Sequence, residues 1–471
     1  MSGGIDSGWF CAARRAAWQS RDDQGRPRLP MVTPSKVTWY HEADGVVIPS
    51  FTKTGLESLR REHLEKNWDA PLGPLASVFR QRVVDWAAEL VVKFQNGGGV
   101  ITGALGAAAN RWDARTQHLP PGEAMVFRRT LTHGLDWPWL DGLPPTQPSR
   151  YEGRRMRNHP ELHLRPDAVW TTLKKIFSRK SARWWDTKDG RRLPMGMHPI
   201  RWVQKGDSEE VRITWNMMGF NKLLDPEAAT VTLETAGKLR HRVQRGDLMC
   251  GVDLSSSFYH ARYSDQAVAW TGAALTTNEL PEGVWNTLRR EHPEAYCRQD
   301  GHDWLVFVLL GVTMGAAPSV RQFTDLMAVP MAAWQRCPVG NEADGTLESW
   351  RGTIYIDDLQ TFVSGGFGNA VELILRIIAE MVVLGFTINF KPGKSQVVPA
   401  HVSRHIGYIW NSLSMRLRLP ASRVKKLEAG VVELRRQVRD TRGRPHARAV
   451  ARLIGLLWSV HMVAHRAVAL L

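Results

Sequence analysis

The sequence predicts a mixed α/β fold of the α+β kind, in which antiparallel strands and helices share one chain of 471 residues. From about residue 170 onward, segments with the two-residue period of strands alternate with segments that have the period of helices. Residues 352–364 are typical of a β-hairpin, and residues 401–471 have the pattern of amphipathic helices. The length and the 43% of hydrophobic residues allow about two to four domains with a sizeable core, which excludes a disordered or collagen-like chain.

The N-terminal part of the chain contains one clear element. Residues 75–94 are rich in Val, Leu and Ala and predict a helix. Glycines at 97–99 and prolines at 120–121 interrupt the remainder, and the prolines of residues 144–148 are typical of a linker. We therefore expect residues 1–160 to form an N-terminal extension, whose role the sequence does not indicate.

Two of the elements that follow carry acidic residues. Residues 246–254 predict a short buried strand that contains Asp253 near its end. In the hairpin at 352–364, two apolar strands are joined by a turn at Asp357 and Asp358.

A helix is expected over residues 369–384, because Asn369 can cap it, Glu372 can complete a capping box, and Gly385 can end it in the left-handed conformation. A strand is expected to follow at 386–390.

Charge is the strongest compositional signal. The chain has 62 Lys and Arg against 46 Asp and Glu, a formal net charge of +16. Residues 401–471 hold 14 of the basic residues and three acidic ones, and their helical apolar face is followed by a second helix after Pro445. This balance favours a polyanionic partner, with a basic but solvated surface as the alternative.

The four cysteines are widely spaced, so neither a disulfide framework nor a zinc site is indicated. No run of 18 or more apolar residues is present, and no signal peptide is evident. We expect a soluble intracellular protein, cytoplasmic or nuclear or both, that does not enter a membrane.

Three carboxylates are candidates for chemistry. Two adjacent acids at the end of an apolar hairpin raise each other's pKa unless a cation neutralises them, so Asp357 and Asp358 suggest a metal site; a surface Asp-Asp turn is equally compatible with this pair alone. With Asp253, they form a three-carboxylate set of the kind that holds two Mg²⁺ ions, or Mn²⁺ in their place, in nucleotidyl transfer.

The segments that surround these acids resemble motifs of reverse transcriptases. Tyr355-Ile356-Asp357-Asp358 is similar to their Y-x-D-D box, and the segment 253–260 is similar to D-L-x-x-x-F-x-H. Segments 198–221, 314–324, 384–395 and 405–408 resemble further motifs in the family order, from the fingers stretch to the primer grip. The resemblance covers about 300 residues and is closest to reverse transcriptases of the DIRS-like (tyrosine-recombinase) retrotransposon group.

The resemblance implies a right-handed polymerase. Its fingers would occupy residues 161–245, its palm residues 246–415 with interleaved finger segments at about 261–312, and its helical basic thumb residues 416–471. It assigns the catalytic and metal-binding roles to Asp253, Asp357 and Asp358, with Tyr355 and Ile356 as motif support; nucleotide binding to Lys205, Arg212, Phe258, Tyr259, Met314, Gly315 and Lys394; the primer grip to Ile406, Gly407 and Tyr408; and nucleic-acid backbone contacts to Arg423, Lys426, Arg435 and Arg439.

The implied activity is RNA-directed DNA synthesis with an RNA template, a DNA or RNA primer, dNTPs and two Mg²⁺ ions. Two other functions remain open, a catalytically idle nucleic-acid-binding protein derived from such an enzyme and an RNA-dependent RNA polymerase. Single residues also have plainer interpretations: Phe258 can be a core aromatic, Lys205 and Arg212 can be exposed hairpin charges, and Trp184 and Trp185 can serve packing as well as base stacking.

Overall fold

The computed structural model describes residues 39–64, 71–95, 102–142, 144–145, 158–188, 193–205, 209–299, 301–340, 350–460 and 463. The elements of the described residues up to 178 are helices, strands and helices alternate after them, and all the strand pairs within the sheets are antiparallel. In this part of the chain, no helix is both long and apolar enough to cross a membrane.

The α-helices of the described residues are numbered here in chain order. They are α1 (Tyr40–Ala43), α2 (Lys53–His63), α3 (Pro74–Gln95), α4 (Ala104–Ala107), α5 (Ala109–Arg115), α6 (Pro121–His133), α7 (Pro166–Ser178), α8 (Met218–Asn221), α9 (Pro226–Ala229), α10 (Ala236–Leu239), α11 (Asp265–Val268), α12 (Glu282–Glu291), α13 (Ser319–Trp334), α14 (Phe367–Val383), α15 (Ala421–Asp440) and α16 (Ala447–Trp458). Short 3-10 turns occupy Pro160–Leu164, Ser257–His260 and Thr277–Glu279.

The strands of the described residues form four sheets. They are β1 (Ala182–Trp184), β2 (Ile200–Gln204), β3 (Val211–Trp215), β4 (Leu248–Asp253), β5 (Gly272–Thr276), β6 (Tyr296–Gln299), β7 (His302–Leu309), β8 (Arg351–Tyr355), β9 (Asp358–Val363), β10 (Gln396–Ala400), β11 (Val402–His405), β12 (Tyr408–Asn411) and β13 (Arg416–Arg418). The sheet that carries the three acids has the order β10-β4-β9-β8, and in a second one β7 pairs with β1, β5 and β6. β2 pairs with β3, and β11-β12-β13 form a small sheet before α15.

The core lies around α14. Thirteen residues of this helix are buried, and it packs on β4 and β10 on one side and on α1, α2 and α3 on the other. One continuous cluster of buried apolar residues therefore joins the N-terminal helices to both four-stranded sheets. The described residues before 134 are thus packed into the same core as the acid-bearing sheet.

Glu380 of α14 anchors the N-terminal helices through a buried polar network. Its carboxylate accepts hydrogen bonds from His41 (from the backbone N–H and from Nδ1, at 3.0 Å), from Arg115 (from Nε at 3.0 Å and from a terminal nitrogen at 3.3 Å) and from Trp334 (from Nε1 at 2.9 Å). Arg115 also pairs with Asp44 at 3.0 Å. Because Glu380 is fully buried, these partners are what makes its charge tolerable in the core.

The helices at 75–94, near 424–438 and after Pro445 are confirmed as α3, α15 and α16, and the strand at 246–254 as β4. The hairpin is also confirmed, but its turn consists of Ile356 and Asp357, because Asp358 already pairs with Tyr355 as the first residue of β9. The prediction that both acids lie in the turn was therefore wrong by one residue.

The start of α14 differs from the prediction. The helix begins at Phe367 with Gly366 as its N-cap, so Asn369 lies inside the first turn and does not cap it. Glu372 forms an ion pair with Arg376 one turn later, at 2.7 Å, in place of a capping box. Gly385 does end the helix with φ +97°, as predicted.

The strand expected at 386–390 does not form. Ile388 makes a single bridge to Leu254, while the neighbouring backbone groups are taken by other partners: Thr387 N–H donates to His260 Nε2 at 2.8 Å, and the Phe386 carbonyl accepts from Gln95. Two backbone hydrogen bonds form the bridge, from Ser255 N–H to the Thr387 carbonyl and from Asn389 N–H to the Asp253 carbonyl, and the groups with other partners are not available to extend it into a strand ladder.

Candidate active site

The sheet brings the three predicted acids to one place. β4 and β9 pair so that Asp253 lies opposite Asp358, and Asp357 is in the adjoining turn. That turn depends on Ile356, which has φ +59°. A β-branched residue in the left-handed region is a backbone outlier, and such conformations concentrate at functional sites, where the surrounding structure enforces them.

The electrostatics of this cluster are unfavourable without a cation. Burial, reinforced by the charges of Asp357 and Asp253, raises the pKa of Asp358 to about 7. Burial and the charge of Asp253 also raise the pKa of Asp357. Among the residues that the structure describes, no three His, Cys, Asp or Glu side chains converge closely enough to hold one metal ion. The acids nevertheless have the charge and the oxygen donors that suit a divalent cation. To bind one, their side chains would have to move closer together around it.

Asp253 is held by residues of the segment after α14. Lys394 Nζ lies 3.2 Å from Asp253 Oδ1, and Asn389 Nδ2 donates to Asp253 Oδ2 at 2.6 Å. The Asp253 N–H donates to Ser395 Oγ at 3.0 Å, and Ser257 Oγ donates to Asp357 at 3.2 Å. The sequence assigned a role to Lys394 alone. Asn389 and Ser395 lie inside the resembling segment 384–395, which is the signal that could have pointed to them.

The predicted phosphate-binding residues lie on the β2–β3 hairpin. Lys205 is exposed and forms an ion pair with Glu210 at 2.8 Å, and Arg212 is exposed opposite Val203. The hydrogen bond and charge of Lys205 lower the pKa of Glu210, with smaller contributions from Lys175 and Lys391. Gly206 and Asp207, which belong to the same resembling stretch, lie outside the described residues.

Met314 and Gly315 meet the end of the β2–β3 hairpin. Gly315 has φ +122°, and a Cβ there would lie 2.4 Å from the Trp215 carbonyl oxygen, so no other residue fits without movement. Asn221 braces the same loop, because its amide donates to the Gly315 carbonyl at 3.0 Å and accepts from Ala317 N–H at 2.9 Å. Met314 is half exposed beside this brace. Asn221 is a positioning residue that the site assignment from sequence left out.

Phe258 lies in the core, 8% exposed, with its ring 5.3 Å from that of Phe323. This placement matches the packing interpretation that the sequence left open. Tyr259 is half-buried beside Gly311, and burial raises the pKa of its hydroxyl to about 12. Trp184 likewise stacks on Phe177, with centroids 4.5 Å apart, and is partly buried against the core. The roles of Phe258 and Tyr259 toward a nucleotide remain predictions.

The predicted primer grip is the turn between β11 and β12. Ile406 and Gly407 both have positive φ, and Tyr408 is buried, with its hydroxyl donating to the Ser459 carbonyl at 2.9 Å. Arg423 of α15 donates to the Gly407 carbonyl at 2.8 Å and lies over the Tyr408 ring. Arg423 thus links the turn to α15, and its contact with nucleic acid remains a prediction.

The remaining predicted backbone contacts lie on α15, none of whose residues is buried. Lys426, Arg435 and Arg439 are exposed, and the two arginines line a shallow groove with Val432, Leu434 and Val438. α15 packs chiefly against α16.

A pH-dependent contact adjoins the acids. His260 is buried, and burial lowers its pKa to about 4. In the unfolded chain, His260 binds a proton near pH 6.5, whereas in the folded chain it stays neutral until about pH 4. This group therefore lowers the free energy of unfolding as pH falls from about 6.5 to about 4.

We expect His260→Gln, which keeps an acceptor for Thr387 N–H, to flatten the pH dependence of the unfolding free energy by about one proton between pH 7 and pH 4, as measured by urea unfolding. An unchanged slope would show that His260 titrates normally in the folded protein.

Comparison with known proteins gives matches at the level of structure alone. No family model matches the sequence, and no curated protein matches it. Two solved structures of foamy viral protease-reverse transcriptase in complex with double-stranded DNA are similar over 74% and 77% of this chain, with TM-scores of 0.40 and 0.41 and identities of 10% and 9%. A third, in complex with an RNA/DNA hybrid, is similar over 68% at TM-score 0.38 and 11% identity. The matched regions cover 61%, 54% and 37% of those chains. The chain therefore spans less than two thirds of the length of each of these proteins.

Proposed function

We propose that this chain is an RNA-directed DNA polymerase, which extends a primer 3′-OH with dNTPs on an RNA template. The single observation that carries the proposal is the placement of Asp253 opposite Asp358 on paired strands, with Asp357 in the turn between β8 and β9. These acids come from segments about 100 residues apart in sequence, and their negative charges repel each other in the folded chain. Such an arrangement lowers the stability of the fold, but it favours the binding of cations.

Asp253, Asp357 and Asp358 would hold two Mg²⁺ ions, or Mn²⁺. When bound, the ions would lower the pKa of the primer 3′-OH and stabilise the leaving pyrophosphate. The chain's own residues would orient the reactants. Lys394, which is half exposed, is near enough to Asp253 to exchange that contact for a nucleotide phosphate.

The family and the arrangement of the domains are part of the same proposal. The order of the resembling segments favours a retroelement reverse transcriptase of the DIRS-like group, with fingers, palm and thumb in the order given above. Tyr355 before the acids and Phe258 five residues after Asp253 favour deoxynucleotides over ribonucleotides as substrates.

Primer extension by the full chain tests the proposal. An RNA or DNA template with an annealed primer is incubated with Mg²⁺ or Mn²⁺ and with either dNTPs or rNTPs. We expect dNTP incorporation on the RNA template. Preferential use of rNTPs would instead favour an RNA-dependent RNA polymerase. Tight duplex binding without extension under every condition would favour an idle nucleic-acid-binding protein.

The basic face of α15 is expected to contact the template-primer backbone. Replacing Arg435 and Arg439 together with Ala should flatten the plot of log affinity against log salt by about one unit for each phosphate that the variant no longer binds, and should shorten the products through earlier dissociation. Fluorescence anisotropy of labelled duplex between 50 and 300 mM salt, roughly the range in which such contacts dominate, measures the slope.

Single-nucleotide addition at saturating duplex should survive in that variant, because the acids are on another element. The matched control replaces Arg128 and Arg129, which are exposed on α6, with Ala. Equal salt slopes in the unmodified chain and in both double variants would show that the basic residues of α15 do not contact nucleic acid.

A further inference from the structure

The segment 386–390 lies beside Asp253 and is joined to the acid-bearing sheet by one isolated bridge, between Ile388 and Leu254. Two backbone hydrogen bonds form this bridge: Ser255 N–H donates to the Thr387 carbonyl, and Asn389 N–H donates to the Asp253 carbonyl, both at 2.8 Å. The Asn389 amide reaches the Asp253 carboxylate itself at 2.6 Å. The orientation of that carboxylate therefore depends on where this segment lies.

The segment is fixed from the opposite side by the N-terminal helices. Four side chains of α3 and α5 donate hydrogen bonds to five carbonyl groups between residues 382 and 390. The pairs are Arg80 with Phe390, Gln95 with Val382 at 2.8 Å and with Phe386 at 3.0 Å, Arg111 with Val383 at 3.1 Å, and Trp112 with Leu384 at 3.3 Å. The last carbonyls of a helix have no partner within the helix, and here donors from a distant part of the chain supply one.

The contact is also close at the level of the backbone. A Cβ at Gly385 would lie 2.7 Å from the Ala104 carbonyl oxygen, so the start of α4 lies directly against the end of α14. The Trp112 ring meets Phe386 edge-on with centroids 6.0 Å apart, and the His260 ring lies 5.5 Å from the same phenyl ring. Little space remains for the segment to move while these contacts persist.

We propose that α3 to α5 form a positioning element for the active site, which holds residues 382–390 and, through Asn389, sets the Asp253 carboxylate for a divalent cation. This gives the N-terminal region a role in the reaction, and it rests on the proposed function for the metal site. Hydrogen-bond partners of a metal-ligating carboxylate tune its affinity for the ion, and the N-terminal helices bind the segment that carries such a partner, Asn389.

The test is a double-mutant cycle between Gln95 and Asn389. Gln95→Met keeps the length of the side chain and removes its two donated bonds; its Oε1 is buried without a partner among the described residues, so no accepted bond seen there is removed. Asn389→Ala removes the bond to Asp253 directly. Gln81→Met is the matched control, because Gln81 is exposed on the same helix and bonds only one turn away, to Asp85.

Metal affinity is measured by isothermal titration calorimetry of the full chain with Mn²⁺ or Mg²⁺, without primer or nucleotide. We expect Asn389→Ala to weaken binding about 10- to 100-fold and Gln95→Met to weaken it about 3- to 10-fold. In the Asn389→Ala background, Gln95→Met should cause no further loss, because the path through Asn389 is already broken. Additive losses, or an affinity in Gln95→Met equal to that of Gln81→Met, would overturn the proposal.

Hydrogen exchange separates this proposal from the proposed function. The backbone amides of residues 387–391 should exchange faster in Gln95→Met than in Gln81→Met or the unmodified chain, whether or not metal binds. If the unmodified chain binds no divalent ion, the proposed metal site is refuted. The exchange data would still show whether α3 to α5 fix the position of residues 382–390. Unchanged exchange in Gln95→Met would overturn the positioning role whatever the metal data show. Trp112→Phe, which removes the donor to Leu384 and part of a buried ring, is the second variant should Gln95→Met fold poorly.

Discussion

Replacing Asp357 with Asn should reduce primer extension by more than about 100-fold, beyond the loss that hydrogen-bond partners of metal ligands usually cause. Asp253→Asn should have the same effect. The reason is that each of these acids is proposed as a direct ligand, so its loss removes a negative charge and an oxygen donor from the ions themselves. Extension is measured at saturating duplex and dNTPs over a range of Mg²⁺ concentrations.

Stability distinguishes this outcome from simple misfolding. Because burial and the charge of Asp357 raise the pKa of Asp358, Asp357→Asn removes a repulsive charge. The variant should therefore unfold at an equal or higher urea concentration than the unmodified chain when divalent ions are absent. Asp265→Asn, at an exposed acid on α11, is the control and should keep full activity. Near-normal extension by Asp357→Asn would remove this residue from the proposed metal site.

Glu380→Gln should cost about 3 to 5 kcal/mol of unfolding free energy, the usual result of breaking a buried ion pair on one side. The amide would keep the shape of the side chain, but it would leave the Arg115 guanidinium, 2% exposed, with Asp44 as its remaining acidic partner in this network. Urea denaturation of both proteins measures the loss. Glu372→Gln on the same helix breaks a partly exposed pair and should change stability by less than about 1 kcal/mol.

The same variant has a predictable pH dependence. Burial alone would raise the pKa of Glu380, but the hydrogen bonds from His41 and the charge and hydrogen bonds of Arg115 outweigh it and lower the pKa below its ordinary value of 4.5. A carboxyl of this kind stabilises the fold above pH 4.5 and loses that contribution as pH falls through its lower, folded-state pKa. The difference in unfolding free energy between Glu380→Gln and the unmodified chain should therefore narrow below pH 4.5. A difference that stays constant with pH would mean that the negative charge of Glu380 does not stabilise the fold.

The sequence predicted the acid-bearing strands well because their signals are local. The alternation of residues 352–364 and the apolar run before Asp253 each define a strand without help from the rest of the chain. The one-residue error at the hairpin turn arose because Ile356 adopts a left-handed conformation that β-branched residues rarely take.

The contacts that surround the acids could not be predicted in the same way. Gln95, Arg111 and Arg80 bind carbonyl groups between 272 and 310 residues later in the chain, and no periodicity or cap records such a pair. The bonds from Gln95 to Phe386 and from Arg80 to Phe390 occupy carbonyl groups at both ends of the segment 386–390, which forms one bridge and not a strand although its composition is suitable. For the same reason the sequence indicated no role for the extension at 1–160: these partners of its helices α3 and α5 lie in the second half of the sequence.

The long separation between these partners has a consequence for synthesis. On a ribosome that adds about 5–20 residues per second, the helices before residue 134 wait roughly 15 to 60 s before residues 380–390, which complete their packing, have been made. During that interval, the apolar faces that later meet α14 stay open to water and to other chains. We therefore expect these early helices to depend on shielding from other chains until the acid-bearing sheet has been made.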